Sequence, residues 1–189
     1  ASLMTFSRRI SSNNSTGRGM LDGNPKLDGA LMIGSLGVIF DMDGVLIDSE
    51  PTWQRTEISI LGALGVPIDQ NNVHTTTGWR IDRVVEYWRA RVPFNGDTEV
   101  IASQITGKVA ETIRDSGQAL PGATELVKAC ASAGILVGLA TSSSPLLIEA
   151  VLERLEIGPF FSAIASASEV PEGKPDPAVY QLCAKRMGL

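Results

Sequence analysis

The chain has 189 residues, 43% of them hydrophobic and 20% charged, with a formal net charge of −5. This balance fits one folded domain, or one domain carrying a small insert. It argues against non-specific nucleic-acid binding, which requires a basic face, but not against an anionic substrate, because local cations and backbone N–H groups set the field inside a pocket. No apolar run reaches bilayer-spanning length, so no membrane partner is expected. Cys130 and Cys183 lie in helical patterns without metal-ligand spacing; they read as buried free thiols in a reducing cytoplasm.

Residues 1–35 differ in composition from the rest of the chain. Ser7 to Gly23 is rich in Ser, Asn, Gly and Arg and has no periodicity, a composition that cannot bury enough surface to offset its ordering entropy. The expectation is a disordered N-terminal extension over 1–35. Arg8, Arg9 and Arg18, with no acid before Asp22, leave an organelle-targeting reading beside the cytoplasmic one.

Leu36 to Phe40 has the length and branching of a buried strand. It delivers Asp41 and Asp43 to its exit, and Gly44 lets the backbone turn. Ligands of open α/β sheets bind beyond the carboxyl ends of the strands. A carboxylate there can attack phosphorus to form an aspartyl-phosphate, and a second, two residues on, can act as general acid and base. The alternative is an acidic turn, since Asp and Gly are common in turns.

Glu50 to Leu64 reads as a helix with Pro51 in its first turn. Arg80 to Ala90 presents Ile81, Val84, Val85 and Trp88 on one face, and Val100 to Ser116 does so with Ile101, Ile105, Val109 and Ile113. Three helices exceed what a single crossover needs. From Pro121 an α/β rhythm begins: helix Thr124–Ala133, strand Ile135–Ala140, a helix with Ile148, Val151, Leu152 and Leu155 on one face, a short strand Ala163–Ala167, and a last helix Ala178–Met187. Such alternation implies a parallel sheet with right-handed crossovers. The expected class is α/β, a parallel sheet core (36–48 and 120–189) with an inserted block of helices (49–119), a plain helical crossover being the alternative.

Thr141, at the exit of the second core strand, and the free N–H groups of Ser142 and Ser143 entering a helix suit a phosphoryl oxygen; helix capping is the alternative. Lys174, between Gly173 and Pro175, sits near a helix start where the dipole disfavours a cation. Its ammonium can neutralise an attacking carboxylate and a phosphate, or it is an ordinary loop lysine. His74, the only histidine, shows no partner pattern and is assigned no role.

Phe-Asp-Met-Asp-Gly-Val-Leu-Ile-Asp-Ser-Glu (40–50) closely resembles the first motif of the haloacid dehalogenase superfamily, in particular its sugar-phosphate phosphatases and β-phosphoglucomutases. Thr141 and Gly173-Lys-Pro-Asp-Pro177 resemble the second and third motifs, in the right order. The resemblance implies a Rossmann-like parallel sheet core with an inserted α-helical cap (49–119), and a Mg²⁺-dependent phosphatase with Asp41 as nucleophile, Asp43 as acid and base, and Lys174 as the charge-neutralising catalytic residue. Phosphate would be held by Thr141, Ser142, Ser143 and Gly44, and Mg²⁺ by an Asp41 carboxylate oxygen and the Asp43 backbone carbonyl. A dehalogenase attacks carbon and has no need of Asp43. The runs around Leu46–Trp53 and Gly78–Val85 look most like hexitol phosphatases and 2-deoxyglucose-6-phosphatases, which implies a small phosphorylated sugar or polyol as partner; a monomer is the expected working unit. Trp79 would stack on a sugar ring and Arg80 would hold hydroxyls or phosphate; otherwise Trp79 packs inside the cap and Arg80 is solvated. A β-phosphoglucomutase-type phosphohexomutase uses the same residues. The family carries a further acidic metal-binding motif one strand beyond Leu189. The corresponding expectations are a C-terminally incomplete sequence, an exposed edge on the first core strand, poor Mg²⁺ binding and slow or absent turnover, with a catalytically incompetent fragment or scaffold as the other reading.

Overall fold

The structure, a computed structural model, describes residues 3–7 and 36–189. The first core strand, β2 (Leu36–Phe40), alternates its side chains as a period of two requires. Val38 and Phe40 join one apolar cluster and Ile39 joins another on the opposite face. Parallel to it lies β3 (Leu136–Thr141), and β4 (Ala163–Ser166) continues the sheet in parallel. β1 (Leu3–Ser7) pairs antiparallel with the other edge of β2, giving the order β1-β2-β3-β4.

β1 corrects two expectations. Residues 1–35 are not wholly an unstructured extension, since Leu3–Ser7 form a strand, and the edge of β2 is covered. An open edge presents unpaired N–H and C=O groups, and the backbone of Leu3–Ser7 supplies their partners in full register from Leu3 opposite Phe40 to Ser7 opposite Leu36. The rest of that segment, with the targeting reading, lies outside the described residues.

Six helices follow among the described residues: α1 (Glu50–Ala63), α2 (Ile81–Arg91), α3 (Thr98–Ser116), α4 (Ala123–Ser132), α5 (Pro145–Arg154) and α6 (Ala178–Arg186). Local chemistry sets their ends. Pro51 and Pro145 open α1 and α5, and the Asp97 carboxylate accepts from the N–H groups of Glu99 and Val100 to start α3. On α3 the periodic residues Ile101, Ile105, Val109 and Ile113 are all buried. None of these helices is long and apolar enough to cross a membrane.

α6 covers one face of the sheet, where small residues let it come close. A Cβ at Gly138 would lie 2.6 Å from the Met187 sulfur and 2.7 Å from that of Cys183. Cys183 is buried, and burial pushes its thiol up to about 11, so it is inert near neutrality. Cys130 is free and partly exposed.

α1 to α3 form the insert between β2 and α4, and their apolar faces join the cluster that covers the other face of the sheet. The chain enters and leaves this insert through two adjacent connections. Ile47 pairs antiparallel with Ala119, and the Leu120 N–H donates to the Leu46 carbonyl at 3.0 Å. Beside them Arg114 of α3 reaches Glu149 and Glu153 of α5 at 3.4 and 3.0 Å, and Arg154 donates to the Gly117 carbonyl.

Candidate active site

Asp41 follows the last residue of β2, and Thr141 is the last residue of the adjacent β3. Parallel pairing of Phe40 with Leu139 therefore brings both to the same end of the sheet. Lys174 arrives from the loop before α6. Its Nζ lies 2.7 Å from Asp41 Oδ2 and donates to the Ala140 carbonyl at 3.0 Å. The other Asp41 oxygen accepts the Met42 N–H at 2.8 Å. Both side chains of the pair are 20% exposed, which leaves the carboxylate reachable.

Asp43 is held by two hydroxyls. Ser49 donates to Oδ1 at 2.5 Å and Ser143 to Oδ2 at 2.6 Å. Each carboxylate oxygen keeps a further lone-pair site for a ligand. Gly44, at φ 72°, turns the backbone directly after it, a conformation that costs a residue with Cβ.

Ser49 carried no role in the sequence reading. A serine directly before a helix reads as a cap, yet its side chain makes no cap hydrogen bond and is buried against Asp43. Only its place in the motif beginning at Asp41 could have marked it.

The structure amends the phosphate pocket. The Ser143 N–H is not free, because the Thr141 hydroxyl oxygen accepts it at 3.1 Å, and the Ser143 hydroxyl is turned to Asp43. Thr141 is buried and retains its own O–H as donor. Ser142 is exposed at the turn. The helix start itself is Ser144, whose hydroxyl makes no cap bond. Ser166 ties this loop to β4 by donating to the Ser143 carbonyl at 2.8 Å.

The insert approaches the same end through α1. Glu50, next to Ser49, accepts from Gln54 and from Thr77, the latter at 2.8 Å, which ties the 77–80 loop to the start of α1. Trp79 is 52% exposed and meets Tyr87 edge to face at 5.5 Å, so it does not pack inside the insert. Arg80 pairs with Asp82 at 3.1 Å with its side chain 83% exposed; among the described residues it hydrogen-bonds to none of the core groups. Glu57, also unremarked in the sequence, is buried on the stripe of α1 that carries Glu50. Burial, and secondarily Glu50, push its carboxyl up to about 7.

A hard cation prefers oxygen donors, and Mg²⁺ is commonly held by one or two carboxylates plus substrate phosphate and water. An Asp41 oxygen and the Asp43 backbone carbonyl, which accepts no backbone hydrogen bond among the described residues, fit that chemistry. No group of three or more acidic, His or Cys side chains able to hold a metal converges among the described residues.

A sheet with parallel β2, β3 and β4, two acids at one strand's exit, a hydroxyl at the next and a lysine from a later crossover make an α/β core with a charged site at the carboxyl end of its strands. The family model of haloacid dehalogenase-like hydrolases matches residues 36–189, and the chain belongs to that family. It is 41% identical over 156 residues to hexitol phosphatase B of Escherichia coli (strain K12), covering 82% of this chain and 70% of that protein. It is 32% identical to fructose-1-phosphate phosphatase YqaB of the same strain, covering 81% of this chain and 80% of that one. A crystal structure of β-phosphoglucomutase from Clostridium difficile superposes with a TM-score of 0.64 at 25% identity, over 80% of this chain and 70% of that one. CbbY from Rhodobacter sphaeroides, in complex with phosphate, shares the fold with a TM-score of 0.68 at 22% identity, over 80% of this chain and 72% of its own.

Proposed function

We propose that this hydrolase is a Mg²⁺-dependent phosphatase of small sugar or polyol phosphates, working through an aspartyl-phosphate. The observation that carries the reading is the convergence of Asp41, Asp43, Thr141 and Lys174, with Lys174 Nζ at 2.7 Å from the Asp41 carboxylate. The relatedness to hexitol phosphatase B and to fructose-1-phosphate phosphatase supports the substrate class.

An Asp41 oxygen attacks phosphorus, and the P–O bond to the sugar or polyol breaks. Asp43 gives its proton to the leaving alkoxide, so the alcohol departs neutral. Asp43 then takes a proton from a water that attacks the same phosphorus, releasing phosphate and restoring Asp41. Lys174 and the Thr141 hydroxyl stabilise charge on the phosphoryl oxygens throughout. Ser49 and Ser143 keep the Asp43 carboxylate oriented while its charge changes. When bound by Asp41 and the Asp43 carbonyl, Mg²⁺ supplies screening of the repulsion between carboxylate and phosphate. The insert, 49–119, acts as a lid over the core site, with Trp79 and Arg80 on the loop facing the leaving group.

A phosphohexomutase is the second reading, favoured by the likeness to β-phosphoglucomutase. It returns the phosphoryl group to a second hydroxyl instead of water. The test is phosphate release from a hexitol phosphate and from fructose 1-phosphate with Mg²⁺, with and without a sugar bisphosphate primer, for the wild type and Asp41→Asn. Release that needs no primer and is abolished by Asp41→Asn supports the phosphatase. Primer-dependent isomerisation without release supports the mutase, and release indifferent to Asp41→Asn refutes both.

A further inference from the structure

Lys174 has a third neighbour besides Asp41 and the Ala140 carbonyl. Its Nζ lies 4.9 Å from the centroid of the Tyr180 ring, inside the range where a cation is drawn to an aromatic face. Tyr180 stands in the first turns of α6 and is 5% exposed, packed in the cluster that includes Ile39, Ala140 and Val179. Its hydroxyl is buried and has no hydrogen-bond partner among the described residues. A buried phenol normally finds a partner, so the hydroxyl does not explain why an aromatic ring stands here. The ring face does.

We propose that Tyr180 is a positioning residue for the phosphate site, its ring face holding the Lys174 ammonium in place. This rests on the reading of Lys174 as a phosphate-site cation. An ammonium has three N–H donors. Asp41 and Ala140 take two, and the ring attracts the charge without requiring the third, which stays available for a phosphoryl oxygen. The seat also survives chemistry at Asp41. Once an Asp41 oxygen is bonded to phosphorus, the carboxylate no longer carries the charge that paired with Lys174. The ring and the carbonyl are unchanged by that step, so the long lysine side chain keeps its place for the incoming water.

The test separates ring face, hydroxyl and bulk. Tyr180→Phe keeps the face, Tyr180→Leu removes it, and Tyr180→pentafluorophenylalanine keeps the shape while reversing the charge distribution of the face. The first readout is the NMR shift of the Lys174 ε-protons, assigned by their loss in Lys174→Met. The second is the affinity for inorganic phosphate. Wild type and Tyr180→Phe are expected to show ring-shifted ε-protons and equal phosphate affinity. The leucine and pentafluoro variants are expected to lose affinity by roughly 2- to 30-fold, the range a cation–aromatic contact spans, with the leucine variant also losing the ring shift. If Tyr180→Leu does not fold, the pentafluoro variant, which leaves no cavity, decides. Wild-type affinity in that variant, or a loss in Tyr180→Phe equal to that in Tyr180→Leu, overturns the proposal. Phosphate affinity unchanged in Lys174→Met instead overturns the underlying reading of the site, while the ring-shift comparison still tests the contact between Lys174 and Tyr180.

Discussion

Asp41 and Asp43 at the end of the sheet and Arg80 and Glu57 in the insert are held in opposite ways. At the sheet, Asp41 and Asp43 are each gripped by groups from other segments: Lys174 from the crossover before α6, Ser143 from the turn after β3, Ser49 from the entry to α1. In the insert, Arg80 pairs only with its near neighbour Asp82 in solvent, Trp79 is half exposed, and Glu57 is buried with no hydrogen-bond partner among the described residues. Long-range partners lock a catalytic geometry before substrate arrives, whereas groups without such partners are set by whatever enters. On the proposed function, the reaction type belongs to the sheet and the choice of substrate to the insert.

The largest effects should come from the locked side. Asp41→Asn removes the proposed nucleophile and is expected to lower phosphate release by a factor on the order of 10³ or more, measured as free phosphate. Asp43→Asn should cost roughly 10²–10⁴-fold, the usual range for a lost general acid or base. Ser143→Ala and Ser49→Ala leave the carboxylate in place but loosen it, so their losses in kcat should be smaller than that of Asp43→Asn, with KM nearly unchanged.

Glu57 gives the next effect, on stability rather than rate. Its carboxyl sits at about 7 in the fold against 4.5 as its ordinary value, so the native state holds the proton more tightly than the unfolded chain does. Its favourable contribution is present below 4.5 and is lost as pH rises through 7. Glu57→Gln should remove that slope and raise stability at pH 8 by up to about 3 kcal/mol, read from urea melts across pH. An unchanged pH profile would place the Glu57 carboxyl in water. Gly138→Val tests the close approach of α6 and should cost roughly 1–3 kcal/mol by overpacking against Cys183 and Met187. The smallest effect is expected from Arg80→Ala, within about 0.5 kcal/mol for so exposed a pair, with any change confined to KM.

Periodicity and strand length were enough to locate the core elements, because β2 and the face Ile101, Ile105, Val109, Ile113 of α3 pack by their own repeat. The meeting of Asp41 and Thr141 followed from strand order, since neighbouring parallel strands expose their exits together, whereas Lys174, in the loop between β4 and α6, was legible only through its motif. Side-chain direction did not. Ser49 and Ser143 are polar residues at helix entries, where local capping and a distant carboxylate compete, and only the folded geometry decides for Asp43. β1 was hidden for a similar reason: Leu3–Ser7 gain strand structure from the edge of β2, through pairing across about thirty residues of sequence. Tyr180 falls inside the last helix with no local signal of its own, and its contact with Lys174 depends on how α6 folds back over the loop.

The central claim is a transient bond between an Asp41 oxygen and phosphorus. Incubation with a labelled hexitol phosphate and Mg²⁺, rapid quenching and peptide mapping measure it directly. The account predicts label on the peptide carrying Asp41, absent in Asp41→Asn. Label on a different residue, or phosphate released with Asp41 never labelled, would contradict it.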